Sequence, residues 1–146
     1  MKISSPSFSH EATIPQKYTC QGKDINPELH IQGVPENTKS LALIMDDPDA
    51  PMGTWVHWVV WNIDPMISEI TENSTPKGGV IGKNSWSRNT YGGPCPPSGT
   101  HRYYFKLYAL DITLELPTSR GKKDVEKGMK KHIIAEATLM GKYQKG

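Results

Sequence analysis

The sequence predicts a mainly β protein of the sandwich type, folded as one domain over residues 1–146. Its length of 146 residues is close to the commonest size of a single domain. The chain contains 13 glycines and 12 prolines, a high share that favours many turns and few long helices. Strand-like apolar runs recur between residues 29 and 110, whereas helical spacing occurs once, near the C-terminus.

The strand predictions begin with three runs separated by turn-forming segments. They cover Leu29–Val34, Ser40–Met45 and Trp55–Ile63. The third run, WVHWVVWNI, is apolar on both alternating faces, which is typical of a strand covered on both sides. We therefore expect it in the middle of a sheet.

The second half of the chain begins with a long irregular segment. Residues 64–100 are rich in Gly, Pro, Asn and Ser and predict a loop of the kind that often carries function. Residues 102–110, RYYFKLYAL, predict another strand. The last segment, residues 136–143, fits either a helical extension or a final strand.

One amphipathic helix is predicted near the C-terminus. Val125, Met129 and Ile133 recur at helical spacing, and they predict a helix from about Lys122 to Ile134 with a lysine-rich outer face. We expect that face to be exposed to solvent. The alternative is that it binds an acidic partner.

Composition excludes several classes of protein. A net charge of +2 does not favour a general nucleic-acid binder. No apolar run approaches the roughly 20 residues that cross a bilayer, and the N-terminus lacks the apolar core of a secretory signal. We therefore expect a protein without a transmembrane segment, located in the cytoplasm, or in the periplasm if a leader has been removed.

The two cysteines, Cys20 and Cys95, are too far apart in sequence for a CxxC redox or zinc motif. Reduced thiols are the favoured interpretation, and a single bridge between two loops is the alternative.

Three of the five histidines, His10, His30 and His132, have no polar neighbours in sequence, so we expect them at the surface.

Polar residues follow or precede several predicted strands. Asp47 and Asp49 flank a proline in DDPDAP, and an i, i+2 spacing lets both carboxylates point to the face of Leu43 and Met45. A simple turn stabilised by aspartate side chains is the competing interpretation.

Three further side chains lie near strand starts: His57, His101 and Tyr103. Each histidine could be an ordinary core residue. Because a sandwich brings strand ends to a common edge, however, we expect these residues and the two aspartates to share one pocket.

The loop YGGPCPPSGT, residues 91–100, lies next to this predicted pocket. Its glycines allow backbone N–H groups to approach an anion closely, and its prolines stiffen the loop. The loop lacks the GxxxxGK[ST] pattern of a nucleotide-binding P-loop.

At these residues the sequence resembles the phosphatidylethanolamine-binding protein family, also called Raf-kinase-inhibitor-like proteins, and in particular its short bacterial branch. The resemblance is carried by DPDAP with HWVV (47–51 and 57–60) and by YGGPCPPSGTHRY (91–103). The blocks IPxxYTCxGxDxNPxL (14–29) and GVPxxTKSLAL (33–43) also fit, so the resemblance runs from about residue 6 to the end.

The resemblance implies a Greek-key β-sandwich of two antiparallel sheets with a helix near the C-terminus. The implied pocket residues are Asp47, Asp49, Pro51, His57, Cys95, Pro96, Pro97, His101 and Tyr103. Many eukaryotic members have glycine where this chain has Cys95. Since the family branch is similar at both cysteines and both segments predict irregular connections, we expect Cys20 and Cys95 to be close in space.

Three functions fit these residues. The first is a binding protein, without cofactor or metal, for a small anion such as a phosphate, a phospholipid head group or a carboxylate. The second is a hydrolase that uses a His/Asp pair, either with a metal bound by Asp47, Asp49, His57 and His101 or with Ser98 or Cys95 as the nearby candidate nucleophile. The third is a regulator of a protein kinase or protease, as the family resemblance implies; exposed sheet surface also suggests a homodimer.

For the binding protein, we expect His57 and His101 to donate hydrogen bonds to the anion and Asp47 and Asp49 to orient the rings. Tyr103 would shape the pocket and donate its hydroxyl. A ring held by a carboxylate should have a raised pKa, which predicts that anion binding weakens as pH rises.

Overall fold

The computed structural model describes residues 1–146 as two antiparallel sheets and one helix. The elements are β1 (Lys2–Ser4), a 3-10 turn (Gln16–Tyr18), β2 (Leu29–Gln32), β3 (Ser40–Asp47), β4 (Trp55–Ile63), β5 (Glu69–Ile70), β6 (Val80–Ile81), β7 (Thr100–Leu110), α1 (Lys122–Met129) and β8 (Ile133–Gln144). The small sheet has the strand order β1-β2-β5, and the large sheet has the order β6-β4-β3-β7-β8.

The topology of the large sheet is set by one long connection. β3 and β4 are antiparallel neighbours, and the chain then passes through β5 and β6 before β7 returns to pair with the other side of β3. Every strand pair in both sheets is antiparallel. The mainly β prediction with two antiparallel sheets is therefore confirmed.

The large sheet is covered on both faces, which explains its continuous apolar strands. One face packs against the small sheet in the larger core, which includes Leu43, Trp58 and Phe105. The other face carries a smaller core beneath α1, which includes Trp61 and Val125. The two-sided burial of β4 confirms the prediction of a central strand.

The predicted helix is shorter in the structure. It begins at Lys122 as expected but ends at Met129, after which Lys131 has a positive φ of 71° and the chain turns into β8. Val125 and Met129 are buried as predicted, whereas Ile133 opens β8 and is 37% exposed. The helical prediction for Ile133 is therefore wrong, and of the two readings of residues 136–143 the final strand is the one observed.

The long segment 64–100 is irregular except for the two-residue strands β5 and β6. No helix in the structure combines the length and the apolar content needed to cross a membrane.

Candidate functional site

The ends of three neighbouring strands meet at one edge of the large sheet. β3 ends at Asp47, β4 begins at Trp55, and β7 begins at Thr100. Because β3 pairs with both of the others in antiparallel register, its last residues lie beside their first ones. This arrangement confirms that strand ends converge, as the sequence predicts.

A cavity of about 250 Å³ opens at this edge. Its walls contain the side chains that the sequence indicated together with several that it did not. The lining residues are Asp47, Ala50, Pro51, Met52, Trp55, His57, Trp86, Cys95, Pro96, Pro97, His101 and Tyr103. Of the nine predicted site residues, only Asp49 is absent from the lining.

The first fixed element of the cavity is a buried histidine–aspartate pair. His101 donates from Nδ1 to Oδ2 of Asp47 over 2.6 Å, and both side chains are less than a tenth exposed. The other oxygen of Asp47 accepts the backbone N–H of Asp49 over 2.8 Å. Both carboxylate oxygens are therefore occupied, and the imidazole of His101 is held in one orientation.

His57 reaches the cavity because of a β-bulge. Met45 pairs with Trp58 and Asp46 pairs with Val56, so His57 is the extra residue of β4. Strict alternation along β4 would have put His57 on the face of Trp61. The bulge instead turns its ring toward Tyr103, at a ring separation of 5.2 Å.

The backbone of Gly92 holds the bulged histidine at two points. The ring of His57 donates from Nδ1 to the carbonyl of Gly92 over 2.7 Å, and its own carbonyl accepts the N–H of Gly92 over 3.0 Å. The expectation that a carboxylate would orient His57 is therefore wrong. Asp47 orients His101 instead.

Burial lowers the pKa of His57 below its ordinary value of 6.5, and the Gly92 carbonyl offsets this only in part. The predicted rise is therefore wrong for His57 in the free protein, because the ring is 3% exposed and a buried imidazolium is poorly solvated. With a carbonyl as partner, Nδ1 must carry the proton in the neutral ring. The other ring nitrogen, Nε2, is then a hydrogen-bond acceptor until it is protonated.

Tyr103 lies between the two histidines. Its ring stacks on His101 at 6.4 Å and meets His57 edge-on. Its buried hydroxyl lies near the carboxylate of Asp47 and the backbone of Cys95 but makes no hydrogen bond of normal geometry with either. Burial and the carboxylate of Asp47 raise the pKa of Tyr103 well above its ordinary value, so the hydroxyl keeps its proton. An unpaired buried donor is costly, and a ligand atom in the cavity could satisfy it.

Asp49 lies at the rim and not in the cavity. Its carboxylate accepts three hydrogen bonds from Arg102, from the backbone N–H, Nε and Nη2, at 2.8–2.9 Å. These contacts lower the pKa of Asp49 to about 2. The prediction that Asp49 orients a histidine is therefore wrong, since the chain turns after β3 and aims this side chain at Arg102.

The outer wall of the cavity contains residues that sequence reasoning missed. Trp86 packs edge-on against both Trp55 and His57, at 5.6 and 5.0 Å, and is 40% exposed. Met52 is 95% exposed at the rim. Trp55 could have been found because it lies two residues before His57, whereas nothing in the pattern around Trp86 or Met52 signals a site.

The two cysteines form a disulfide beside the cavity. Cys20 and Cys95 are bonded, with their Cα atoms 5.4 Å apart. The prediction that they are close is confirmed, and the favoured interpretation of reduced thiols is wrong in this structure. Their segments, which lie 75 residues apart, meet where the turn after Tyr18 crosses the loop before β7.

The hydrolase alternative proposed a metal on Asp47, Asp49, His57 and His101, but these residues do not converge on a single point. Asp49 is bound to Arg102, and His57 is bound to a carbonyl. Another cluster, on the outside of the small sheet, contains Glu28, His30 and Glu69 within 4.8 Å of one another. His30 donates to Glu28 over 2.6 Å there, and Glu69 is exposed while the other two are half-buried, so ion pairing accounts for this cluster.

A larger cavity of about 370 Å³ lies on the opposite face of the large sheet, beside the start of α1. It contains no histidine, and one of the lysines that line it, Lys122, is already paired with the buried carboxylate of Asp46 over 2.8 Å. The cavity at the strand ends is therefore the candidate functional site, because the oriented histidines and the unpaired hydroxyl lie there.

Comparisons with known proteins agree with this fold. The sequence profile of the phosphatidylethanolamine-binding protein family matches residues 4–144. A UPF0098 protein from Methanothermobacter thermautotrophicus is 46% identical, and the alignment covers 100% of both chains. Another, PH1269 from Pyrococcus horikoshii, is 48% identical over 99% of this chain and 77% of its own length.

Two solved structures are also similar. A phosphatidylethanolamine-binding protein homologue from Chlamydia trachomatis superposes with a TM-score of 0.95 at 42% identity, covering 99% of this chain and 97% of its own. YbcL from Escherichia coli, described as a member of the mammalian family, superposes with a TM-score of 0.92 at 28% identity over 99% and 98% of the two chains. The sequence match and the shared fold together show that this chain belongs to the phosphatidylethanolamine-binding protein family.

Proposed function

We propose that the protein binds a small anionic group, such as a phosphate, a phospholipid head group or a carboxylate, in the cavity at the strand ends, and that it does so without covalent chemistry. The observation that carries this proposal is the pair of buried, pre-oriented histidines beside the unpaired hydroxyl of Tyr103. Each imidazole is fixed through Nδ1, which leaves Nε2 for a ligand. The site is thus organised before a ligand arrives, and little ordering cost remains for binding.

A negative ligand must overcome the negative charge of Asp47. Protonation of His101 at Nε2 makes the His101–Asp47 pair neutral overall, and protonation of His57 adds a positive charge. A fully ionised anion therefore enters with uptake of protons, whereas a phosphate monoanion can supply a proton of its own. Binding of a permanently ionised ligand should weaken as pH rises, because the ring of His57 is then protonated less readily.

The contacts of the cavity support a binding role over a hydrolase. Cys95, one candidate nucleophile, has its sulfur in the disulfide. Ser98, the other, is exposed and does not line the cavity. The aromatic side chains of Trp55, Trp86 and Tyr103 offer an apolar wall to whatever carries the anion.

The test is calorimetric titration with benzenesulfonate, which stays ionised, and with inorganic phosphate. We expect His57→Gln and Asp47→Asn each to weaken binding by about tenfold or more, since each removes or loosens a charge-assisted hydrogen bond. The matched control is His132→Gln. His132 also donates from Nδ1 to an aspartate, Asp111, over 2.8 Å, but at the opposite end of β7.

Equal affinity in the wild type, His57→Gln and Asp47→Asn would contradict the proposal and leave the backbone of the glycine-rich loop as the ligand contact. Phosphoethanolamine, compared with inorganic phosphate and with vesicles that contain phosphatidylethanolamine, distinguishes a lipid head group from a free phosphate. Release of product from a phosphate ester at a rate that His57→Gln abolishes would favour the hydrolase.

Two further expectations stay predictions. Regulation of a protein kinase or protease is predicted from the family resemblance, and a homodimer is predicted from the exposed sheet surface. Affinity capture followed by partner identification addresses the first, and sedimentation equilibrium addresses the second.

A further inference from the structure

We propose that the Cys20–Cys95 disulfide is a redox-controlled latch of the ligand cavity: a dithiol reductant opens it, the cavity wall loosens, and anion binding weakens. This inference rests on the proposed anion-binding function. It concerns one segment, residues 92–97, which we call the pocket strap.

The pocket strap builds two parts of the site. Its first residue, Gly92, holds the ring of His57 through its carbonyl. Its last three residues, Cys95, Pro96 and Pro97, line the cavity. Movement of the pocket strap would therefore change both the wall of the cavity and the orientation of one histidine.

The contacts of the pocket strap are concentrated at its beginning. The N–H of Gly93 donates to Asp24 over 2.7 Å, and the carbonyl of Pro94 accepts the N–H of Cys20 over 3.1 Å. From Cys95 to Gly99 the chain makes no backbone–backbone hydrogen bond, and strand pairing resumes only at Thr100 in β7. The disulfide is thus the only covalent cross-link between the half that lines the cavity and the rest of the fold.

The disulfide is open to a reductant. Cys20 is exposed and Cys95 is half-buried. Exposed disulfides are typical of labile and regulatory bonds, whereas structural disulfides are usually hidden from attacking thiols. Since the chain has only these two cysteines, any response to a thiol reductant must pass through this bond.

The redox step balances with a dithiol as co-reactant. A thiolate of the reductant attacks the sulfur of Cys20, the S–S bond breaks, and Cys95 leaves as a thiolate that takes up a proton. The second thiol of the reductant then attacks the mixed disulfide and releases Cys20 as a thiol. Two electrons and two protons pass to the protein, and the reductant becomes a disulfide.

The experiment compares benzenesulfonate affinity in the oxidised protein and in the protein reduced with dithiothreitol. We expect reduction to weaken binding by about tenfold. The reason is that the ligand must then order one or two freed backbone residues, which costs conformational entropy. The double variant Cys20→Ser with Cys95→Ser should bind like the reduced protein and should not respond to dithiothreitol. The NMR signal of the His57 Nδ1 proton should also broaden on reduction, whereas that of His101 should persist.

Three outcomes would overturn the inference. The first is equal affinity in the oxidised and reduced proteins. The second is a response of the double variant to dithiothreitol. The third is global unfolding on reduction, detected by circular dichroism, because the loss of affinity would then follow from loss of the fold and not from movement of the pocket strap. If the oxidised protein binds neither benzenesulfonate nor phosphate, the proposed function itself fails, and this result is distinct from the other three.

Discussion

Replacing Asp49 with asparagine tests whether this residue belongs to the cavity or to its rim. In the structure, its carboxylate forms a bidentate pair with the guanidinium of Arg102 and also accepts the Arg102 backbone N–H. Asp49→Asn removes the charge but keeps the size of the side chain. We expect it to lower stability and to leave anion affinity within about twofold, because the side chain does not line the cavity.

The size of the stability effect follows from the pKa. A fall in the pKa of Asp49 from 3.8 to about 2 corresponds to at most ~2.4 kcal/mol. Because the side chain of Arg102 is 48% exposed, solvent screening reduces the expected loss to about 1 kcal/mol at pH 7. The folded-state pKa is lowered, so the stabilisation is complete above the unfolded pKa near 3.8 and is lost as pH falls through 2.

Urea unfolding of the wild type and Asp49→Asn at pH 7 and pH 3 measures this effect. The difference in the free energy of unfolding should shrink by about half at pH 3, where the wild-type pair has begun to lose its advantage. Glu36→Gln is the matched control, since Glu36 is exposed and has no ionic or hydrogen-bonding partner. Loss of anion binding in Asp49→Asn with unchanged stability would refute the assignment of Asp49 to the rim. It would indicate that Asp49 contacts the ligand in the cavity.

Three further predictions concern the core, the hydroxyl and the disulfide. Met129→Ala should cost roughly 2–5 kcal/mol in urea unfolding because Met129 is 1% exposed, whereas Lys130→Ala should change neither stability nor anion affinity; a small effect of Met129→Ala would contradict its core position. Tyr103→Phe should leave stability unchanged or raise it, since the free hydroxyl is unpaired, yet weaken anion binding in calorimetry; unchanged affinity would exclude the hydroxyl as a ligand contact. Replacing Cys20 and Cys95 by serine should lower the free energy of unfolding by about 4 kcal/mol, since the bond closes a loop across 75 residues, and a loss below about 1 kcal/mol would contradict that origin.

Sequence reasoning located the strands well because their apolar patterns reflect burial directly. The run from Trp55 to Ile63 predicted β4 with its exact bounds, and its two apolar faces predicted a strand between two layers. β1, β5 and β6 were missed, since strands of two or three residues are too short to show a period. Their pairing depends on partners that are distant in sequence.

The sequence predicted which residues form the site more accurately than it predicted the role of each residue. Asp47, His57, His101 and Tyr103 do meet, because strand ends converge. The partner of each histidine could not be predicted, since a bulge in β4 turns His57 to a loop carbonyl and leaves the carboxylate of Asp47 to the other ring. A bulge depends on the register between two strands and has no signature in one of them.

The helix and the cysteines show two further limits. Ile133 continues the helical spacing of Val125 and Met129, yet the chain leaves the helix after Met129 so that β8 can pair along the whole of β7. The pattern alone could not show that a long strand competes for these residues. Cysteine spacing likewise left the bond between Cys20 and Cys95 open, because pairing depends on how two loops cross.

Proton uptake on binding shows directly whether two oriented imidazoles hold an anion through Nε2. The measurement is calorimetric titration of the wild type with benzenesulfonate between pH 5.5 and 8.5, in two buffers of different ionisation enthalpy. Since burial lowers the pKa of His57 in the free protein, we expect net proton uptake near pH 7 and an affinity that falls as pH rises. Binding with no proton uptake and with the same affinity across this range would show that the imidazoles do not hold the anion.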